Sequence, residues 1–183
     1  MPLPKIIASD PPPAPVKIIG NTGWDAEGYF KVLHAKNKLC RHLNFSFGSC
    51  SGLQGFYDAL AQAGSSPNFI AVDDSSEGYT ALHNSPFVRT VKTIFFTMRH
   101  KAGNMNARNY AMALMREIFR QFMSALIREK VKLEENNISI DPRIQFNEIE
   151  SYFFTGAACA YFQIAVDIPQ DLRFNPSEWT DDE

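Results

Sequence analysis

The stretch from about Asn104 to Lys130 constrains the fold more than any other part of this 183-residue chain. Ala111, Leu114, Met115, Ile118, Phe122, Ala125 and Leu126 recur at helical spacing, while Arg116, Arg120, Gln121, Ser124 and Arg128 fall on the opposite face. An apolar stripe backed by a polar one predicts a single amphipathic helix, about 40 Å long at 1.5 Å per residue. Such a helix must lay its stripe on another layer, and the segments on either side of it supply one. Phe87 to His100 is rich in β-branched and aromatic residues, and its consecutive Ile94, Phe95 and Phe96 suit a strand covered on both faces. In Ala157 to Ile168, the residues Phe162, Ile164, Val166 and Ile168 alternate with Gln163, Ala165 and Asp167, the pattern of a strand with one face to the core.

The remaining elements are weaker in sequence. Thr22, Gly23, Trp24 and Asp25 read as a helix start, followed by Tyr29, Phe30, Leu33 and Leu39, so the region from Asp25 to about Phe47 is expected to be helical despite Gly28. Ser51 and Gln54 match a capping box, Leu53, Phe56, Tyr57, Leu60 and Ala61 follow on one face, and Gly64 is placed to end that helix. Asn68 to Asp73 reads as a short strand, followed by a loop to about Ser85. Ile144 to Phe154 reads as a strand joined to the last one by a turn at Thr155 and Gly156. The expected class is therefore α/β (α+β): a mostly antiparallel four-stranded sheet, one long amphipathic helix packed across it, and additional N-terminal helices. The expected organisation is a proline-rich extended arm over 1–20, a single α/β domain over 21–168, and an irregular acidic tail over 169–183 that Phe174 and Trp179 pin to the body.

Several function classes find no sequence support. The formal charge of −2 makes no overall case for nucleic acid or membrane. Cys40, Cys50 and Cys159 form no CxxC pair, so reduced thiols in a cytoplasmic setting are expected. No apolar run is long enough for a membrane span, and Met1 to Gly20 lacks the layout of a signal peptide. Neither GxGxxG nor GxxxxGK[ST] occurs, and His34, His42, His83 and His100 sit in no HxxxH or HExxH pattern, so no cofactor or metal is expected. His34 reads as a packing or surface residue. Cys50, at a helix start, is placed for a lowered thiol pKa, but its surroundings match no nucleophile motif. Asp73 and Asp74, at a strand end, have the placement of an acidic active site or of a solvated turn.

Charge is distributed unevenly. Residues 89 to 132 hold ten Lys and Arg against Glu117 and Glu129, a balance of about +8, whereas residues 133 to 183 hold two Arg against eleven acids, about −9. The plain reading is a solvated basic helix face beside an acidic tail. The sharper one is a subunit interface in which Arg108, Arg116, Arg120 and Arg128 of one copy meet Glu148, Glu150 and Asp167 of the next, a heterologous contact that can close into a ring. Direct nucleic-acid binding is not expected, because the arginines lack interleaved aromatics and the acidic end would repel the polymer.

The run of elements from "NFIAVDD" through "VRTVKTIFFTMRH" and "NARNYAMALMREIFRQFMSALIRE" to "YFQIAVDIPQDLRFNPSEW" resembles the tail-terminator and tail-completion proteins of tailed bacteriophages, with related neck and minor tail proteins of prophages. The resemblance covers about Leu53 to Trp179 and rests on element order. It implies a non-enzymatic virion subunit, assembled in the bacterial cytoplasm, that forms a homo-oligomeric ring, commonly a hexamer, and contacts tail tube and head-tail connector proteins. The proline-rich arm and the helical region before Phe47 depart from a minimal terminator. Two alternatives stand beside it: a small metal-dependent enzyme with an acidic site near Asp73 and Asp74, and a generic protein-interaction adaptor.

Overall fold

The long helix starts where its cap is provided. The Asn104 side chain accepts from the Ala107 N–H at 3.0 Å, satisfying one of the free donors of the first turn. From there α4 (Met105–Glu135) runs 31 residues, about 46 Å, and ends where Asn136 and Asn137 turn the chain, Asn137 at a left-handed φ of 59°. Its buried residues are Ala111, Met112, Met115, Ile118, Phe122 and Leu126. Leu114 is only partly buried, and the stripe is centred slightly differently from the sequence reading, with Met112 in it.

The computed structural model describes residues 24–62, 68–75, 77–82, 85–149, 156–174 and 176. The arm over 1–20, Thr22, Gly23, Gly64, Glu150, the turn residue Thr155 and Trp179 lie outside the described residues, as do the side chains of Leu53, Leu60 and Ala61. In chain order the described elements before the long helix are α1 (Ala26–Lys36), α2 (Lys38–His42), β1 (Phe45–Cys50), α3 (Gly52–Gln62), β2 (Asn68–Asp73), β3 (Glu77–Ala81) and β4 (Phe87–Arg99). After it come β5 (Ser139–Ile140), β6 (Gln145–Ile149) and β7 (Ala157–Pro169).

One mixed sheet joins all seven strands, in the order β1-β2-β4-β7-β5, with β3 on β4 and β6 on β7. The β1–β2 pair is parallel and every other pairing is antiparallel. The class is thus α+β with a long helix across a sheet, but the sheet is larger than four strands. The reason lies in β4 and β7, which pair over all thirteen residues from Phe87↔Pro169 to Arg99↔Ala157. Strands that long each hold two short partners end to end: β2 and β3 along β4, β5 and β6 along β7. The helical region expected to reach Phe47 stops at His42. Asn44 turns the chain at φ 51°, and Phe45–Cys50 becomes the parallel edge strand. Likewise the stretch read as a loop to Ser85 contains β3.

Both faces of the central strands are covered, which explains the unbroken apolar run in β4. On one face Ile94, Phe96, Phe162, Ile164 and Val166 pack with Phe30 of α1 and with Met115, Ile118 and Phe122 of α4. The Phe30 ring lies 5.5 Å from that of Phe162 and 6.1 Å from that of Phe122. On the other face Phe95, Ala157 and Cys159 meet α3, whose Phe56 ring stacks on Phe95 at 4.5 Å. The α3 start is not the capping box that Ser51 and Gln54 suggest: the Gln54 amide donates forward to Asp58 at 3.2 Å, and the Gly52 N–H is taken instead by the Asp73 carboxylate at 2.9 Å. Gly52 itself stands at φ 61°, a conformation suited to glycine.

Candidate functional site

The cationic residues of α4 meet partners within the same chain. Arg116 Nε donates to Glu148 Oε1 at 2.6 Å, so the helix and β6 are joined by an ion pair at this position. Arg120 donates to both oxygens of Glu117, at 2.8 and 2.6 Å. That pairing, with a further bond from Gln121, holds the Glu117 carboxyl at about 2, below the usual range. Arg128 sits 3.3 Å from Glu129, and Arg108 donates to the Ile149 carbonyl at 3.0 Å while its buried Nε has no partner among the described residues. Asp167 is held by Arg89, and Glu150 lies outside the described residues. Three of the four arginines thus have acidic partners within the chain, two of them on α4 itself, and segment charge does not reveal this because the Arg116–Glu148 pair depends on β6 folding back beside α4.

Of the residues singled out for chemistry, Asp73 holds the loop around it. Asp73 Oδ1 accepts three bonds, from Gly52 N at 2.9 Å, Ser75 N at 3.0 Å and Ser75 Oγ at 2.7 Å. The neighbouring backbone is gripped by Lys92, whose Nζ donates to the carbonyls of Asp73, Asp74 and Ser75 at 3.2, 2.6 and 3.1 Å. Cys50 does not have an activated thiol: burial first, and then the charges of Asp73 and Asp74, push it up to about 12. Burial does the same to Cys40 and Cys159. His34 Nε2 is bonded with the Phe45 carbonyl at 2.8 Å and its ring lies 5.6 Å from Phe47, a packing role. Among the described residues no three His, Cys, Asp or Glu converge to share a metal ion, and no helix is long and apolar enough to cross a membrane.

Two of the surface depressions among the described residues bear on docking. The first is a groove of about 570 Å³ beside the start of α1, with Val72, Val88, Val166 and Ile168 as an apolar floor and Asp25, Glu27, Asp73 and Asp74 among its rim residues. The second lies at the end of the sheet where β3, β4 and β7 meet. Leu82, Pro86, Pro169 and Leu172 line an open depression of about 690 Å³. Leu82 is 79% exposed and Leu172 46%, and Phe174, expected to pin the tail, is 71% exposed.

This apolar end is built on an ionic clamp. Arg89 on β4 makes two bonds to its register partner Asp167 on β7, at 2.6 and 2.7 Å, and one to Asp141, beside β5, at 3.2 Å. Its guanidinium also lies 5.7 Å from the Tyr79 ring centre on β3, and Tyr79 in turn packs edge-on to Phe87. The Gln170 N–H donates to the Pro86 carbonyl at 2.9 Å, which ties the end of β7 to the loop before β4. Sequence reading missed this surface because Leu82 and Leu172 are far apart in the chain and only the β4–β7 register brings their segments together. Compared with protein-family models and with curated proteins, the chain matches none.

Proposed function

We propose that the chain is a structural docking subunit of a phage tail or tail-like particle, a ring-forming tail terminator or neck protein that joins tail tube to head connector. The observation that carries the docking part is the apolar end of the sheet. Leu82 and Leu172 are large apolar side chains exposed on one depression, just past the ends of the clamped and paired strands β3 and β7. Clustered exposed apolar side chains of this kind mark contact surfaces more often than solvent-facing ones. The phage assignment itself rests on the element order described above. The occupant of the surface is a second copy of the chain, in a heterologous contact that closes into a ring.

Arg116, Arg120, Arg128 and Lys130 of α4 have acidic partners within the chain, so subunit contact is driven by apolar burial more than by charge. Leu82→Asp with Leu172→Asp places two carboxylates on that surface without touching the core. Native mass spectrometry and negative-stain imaging of the full chain are expected to give a closed ring for the natural sequence and folded monomers for the double variant. Rings that survive the double variant unchanged would refute the surface, and a natural chain that never oligomerises, even with tail-tube protein added, would refute the ring.

A further inference from the structure

We infer that the surface receiving Leu82 and Leu172 of one copy is the apolar pocket between α4 and the β5–β6 connection of the next. The inference rests on the ring reading above and names the second half of its contact. A heterologous contact joins two different patches, and the apolar end of the sheet supplies one of them. The pocket is about 410 Å³, with Phe119, Met123, Leu126, Ile140 and Ile144 in its lining and Ile127, 73% exposed, beside them. A cavity of about 150 Å³ takes one benzene-sized ring, so this pocket has room for two leucine side chains. The depression lies past the ends of β3 and β7, whereas the pocket lies at the edge of the sheet, where β5 and β6 are the outermost strands. An end that docks on an edge is a head-to-tail contact, which repeats from copy to copy.

Charge selects this pocket over other concavities of the described residues. The groove at the start of α1 carries Glu27 and Asp74 on its rim, and the one between α1 and α4 is lined by Lys36, Arg128 and Glu129, so covering either with leucine desolvates charge. The apolar pocket has two charged residues in its lining, and one is already satisfied: Asp141 accepts from Arg89 at 3.2 Å and from the Arg143 N–H at 2.9 Å. The other, Lys130, has a loose partner in Glu134 at 3.5 Å, and both side chains are nearly half exposed. The depression carries a matching pair on either side of Leu172: Asp171 and Arg173, 2.6 Å apart and each more than half exposed. With Leu172 seated in the pocket, Lys130 exchanges Glu134 for Asp171 of the other copy, and Glu134 takes Arg173. All four charges stay paired while the leucines and Ile127 leave water. Val131, one turn from Ile127 and 62% exposed, extends the apolar strip beyond the pocket.

Disulfide trapping between copies tests the pairing. Full-length Leu82→Cys is mixed with full-length Ile127→Cys and, as a control, with Val32→Cys, an exposed apolar position on α1 that lines neither surface. The three native thiols are buried and do not compete. The disulfide with Ile127→Cys is expected to form about tenfold faster than the one with Val32→Cys, because docking raises the local thiol concentration. Equal rates would overturn the pocket as the receptor, and so would disulfides between two Leu82→Cys copies that form as fast. Ile127→Asp charges the pocket rim without touching the core, and it is expected to abolish the closed oligomer in native mass spectrometry at unchanged far-ultraviolet circular dichroism. An oligomer lost with Leu82→Asp/Leu172→Asp that survives Ile127→Asp would sink this inference alone, whereas a natural chain that stays monomeric would sink the ring reading and this with it. Lys130→Glu is expected to weaken association about fivefold, the size of an exposed ion pair, and Asp171→Lys to restore it. Failure to restore would contradict the facing of those two residues.

Discussion

Replacing Arg89 by Met removes two bonds to Asp167 and one to Asp141 at a position where β3, β4, β5 and β7 all meet. The side chains of Arg89, Asp141 and Asp167 are about a quarter exposed, at 26%, 25% and 23%, so water screens part of their interaction. Two unit charges 4 Å apart attract by about 4 kcal/mol at an effective dielectric of 20, before desolvation is subtracted. Partial exposure and desolvation reduce this to a coupling of about 1–2 kcal/mol for the bidentate pair. Arg89→Met alone costs about 2–3 kcal/mol, because it also leaves two neighbouring carboxylates without their shared cation. At about 2–4 °C per kcal/mol for a chain of this size, Tm falls by about 4–12 °C. Urea unfolding of Arg89→Met, Asp167→Asn and the double variant, followed by circular dichroism, closes the cycle. A coupling below about 0.3 kcal/mol, the scatter between independent sites, would refute the clamp.

Phe162 sits among the rings of Phe30, Phe96 and Phe119 at 5.5, 5.6 and 5.2 Å and is fully buried, so Phe162→Ala is expected to cost about 3–5 kcal/mol in chemical denaturation. A loss under about 1 kcal/mol would contradict the packing described. Glu117 is expected to titrate near 2 by NMR and to move up toward the ordinary carboxylate range in Arg120→Ala. Its carboxyl is depressed in the folded state, so the favourable contribution is present above the ordinary range and fades as pH falls toward 2. The three thiols, raised to about 12 by burial, are expected to ignore a thiol reagent at neutral pH until the chain is unfolded, when all three react. Early reaction of Cys50 would contradict its burial.

Elements that bury one clear stripe were legible in the sequence, and elements that exist only because a neighbour is there were not. The α4 stripe from Ala111 to Leu126 and the alternation of Phe162, Ile164, Val166 and Ile168 each identify a face before any partner is known. By contrast Phe45-Ser46-Phe47-Gly48-Ser49-Cys50 has a glycine and two serines in six residues. It is a strand because its backbone pairs with β2, in the register Phe45↔Asn68 to Cys50↔Asp73. β3 has four exposed residues in five and forms because β4 extends past the end of β2 and offers an unpaired edge. Propensity carries little weight at such edges. The same distinction holds for the candidate site. Arg116 and Glu148 stand 32 positions apart, and segment charge could not tell a pair within one chain from a pair between two. Leu82 and Leu172 become neighbours only through Ala81↔Phe87 and Phe87↔Pro169, a two-step register that periodicity does not encode.

The docking account is tested most directly by sedimentation velocity of the full-length chain at low and at high salt, beside Leu82→Asp/Leu172→Asp and Arg116→Glu/Arg120→Glu/Arg128→Glu. The account predicts a closed oligomer that persists at high salt, survives reversal of the three arginines and disappears when the apolar end is charged. An oligomer that dissolves in salt and is lost with the arginines while tolerating both aspartates would contradict it.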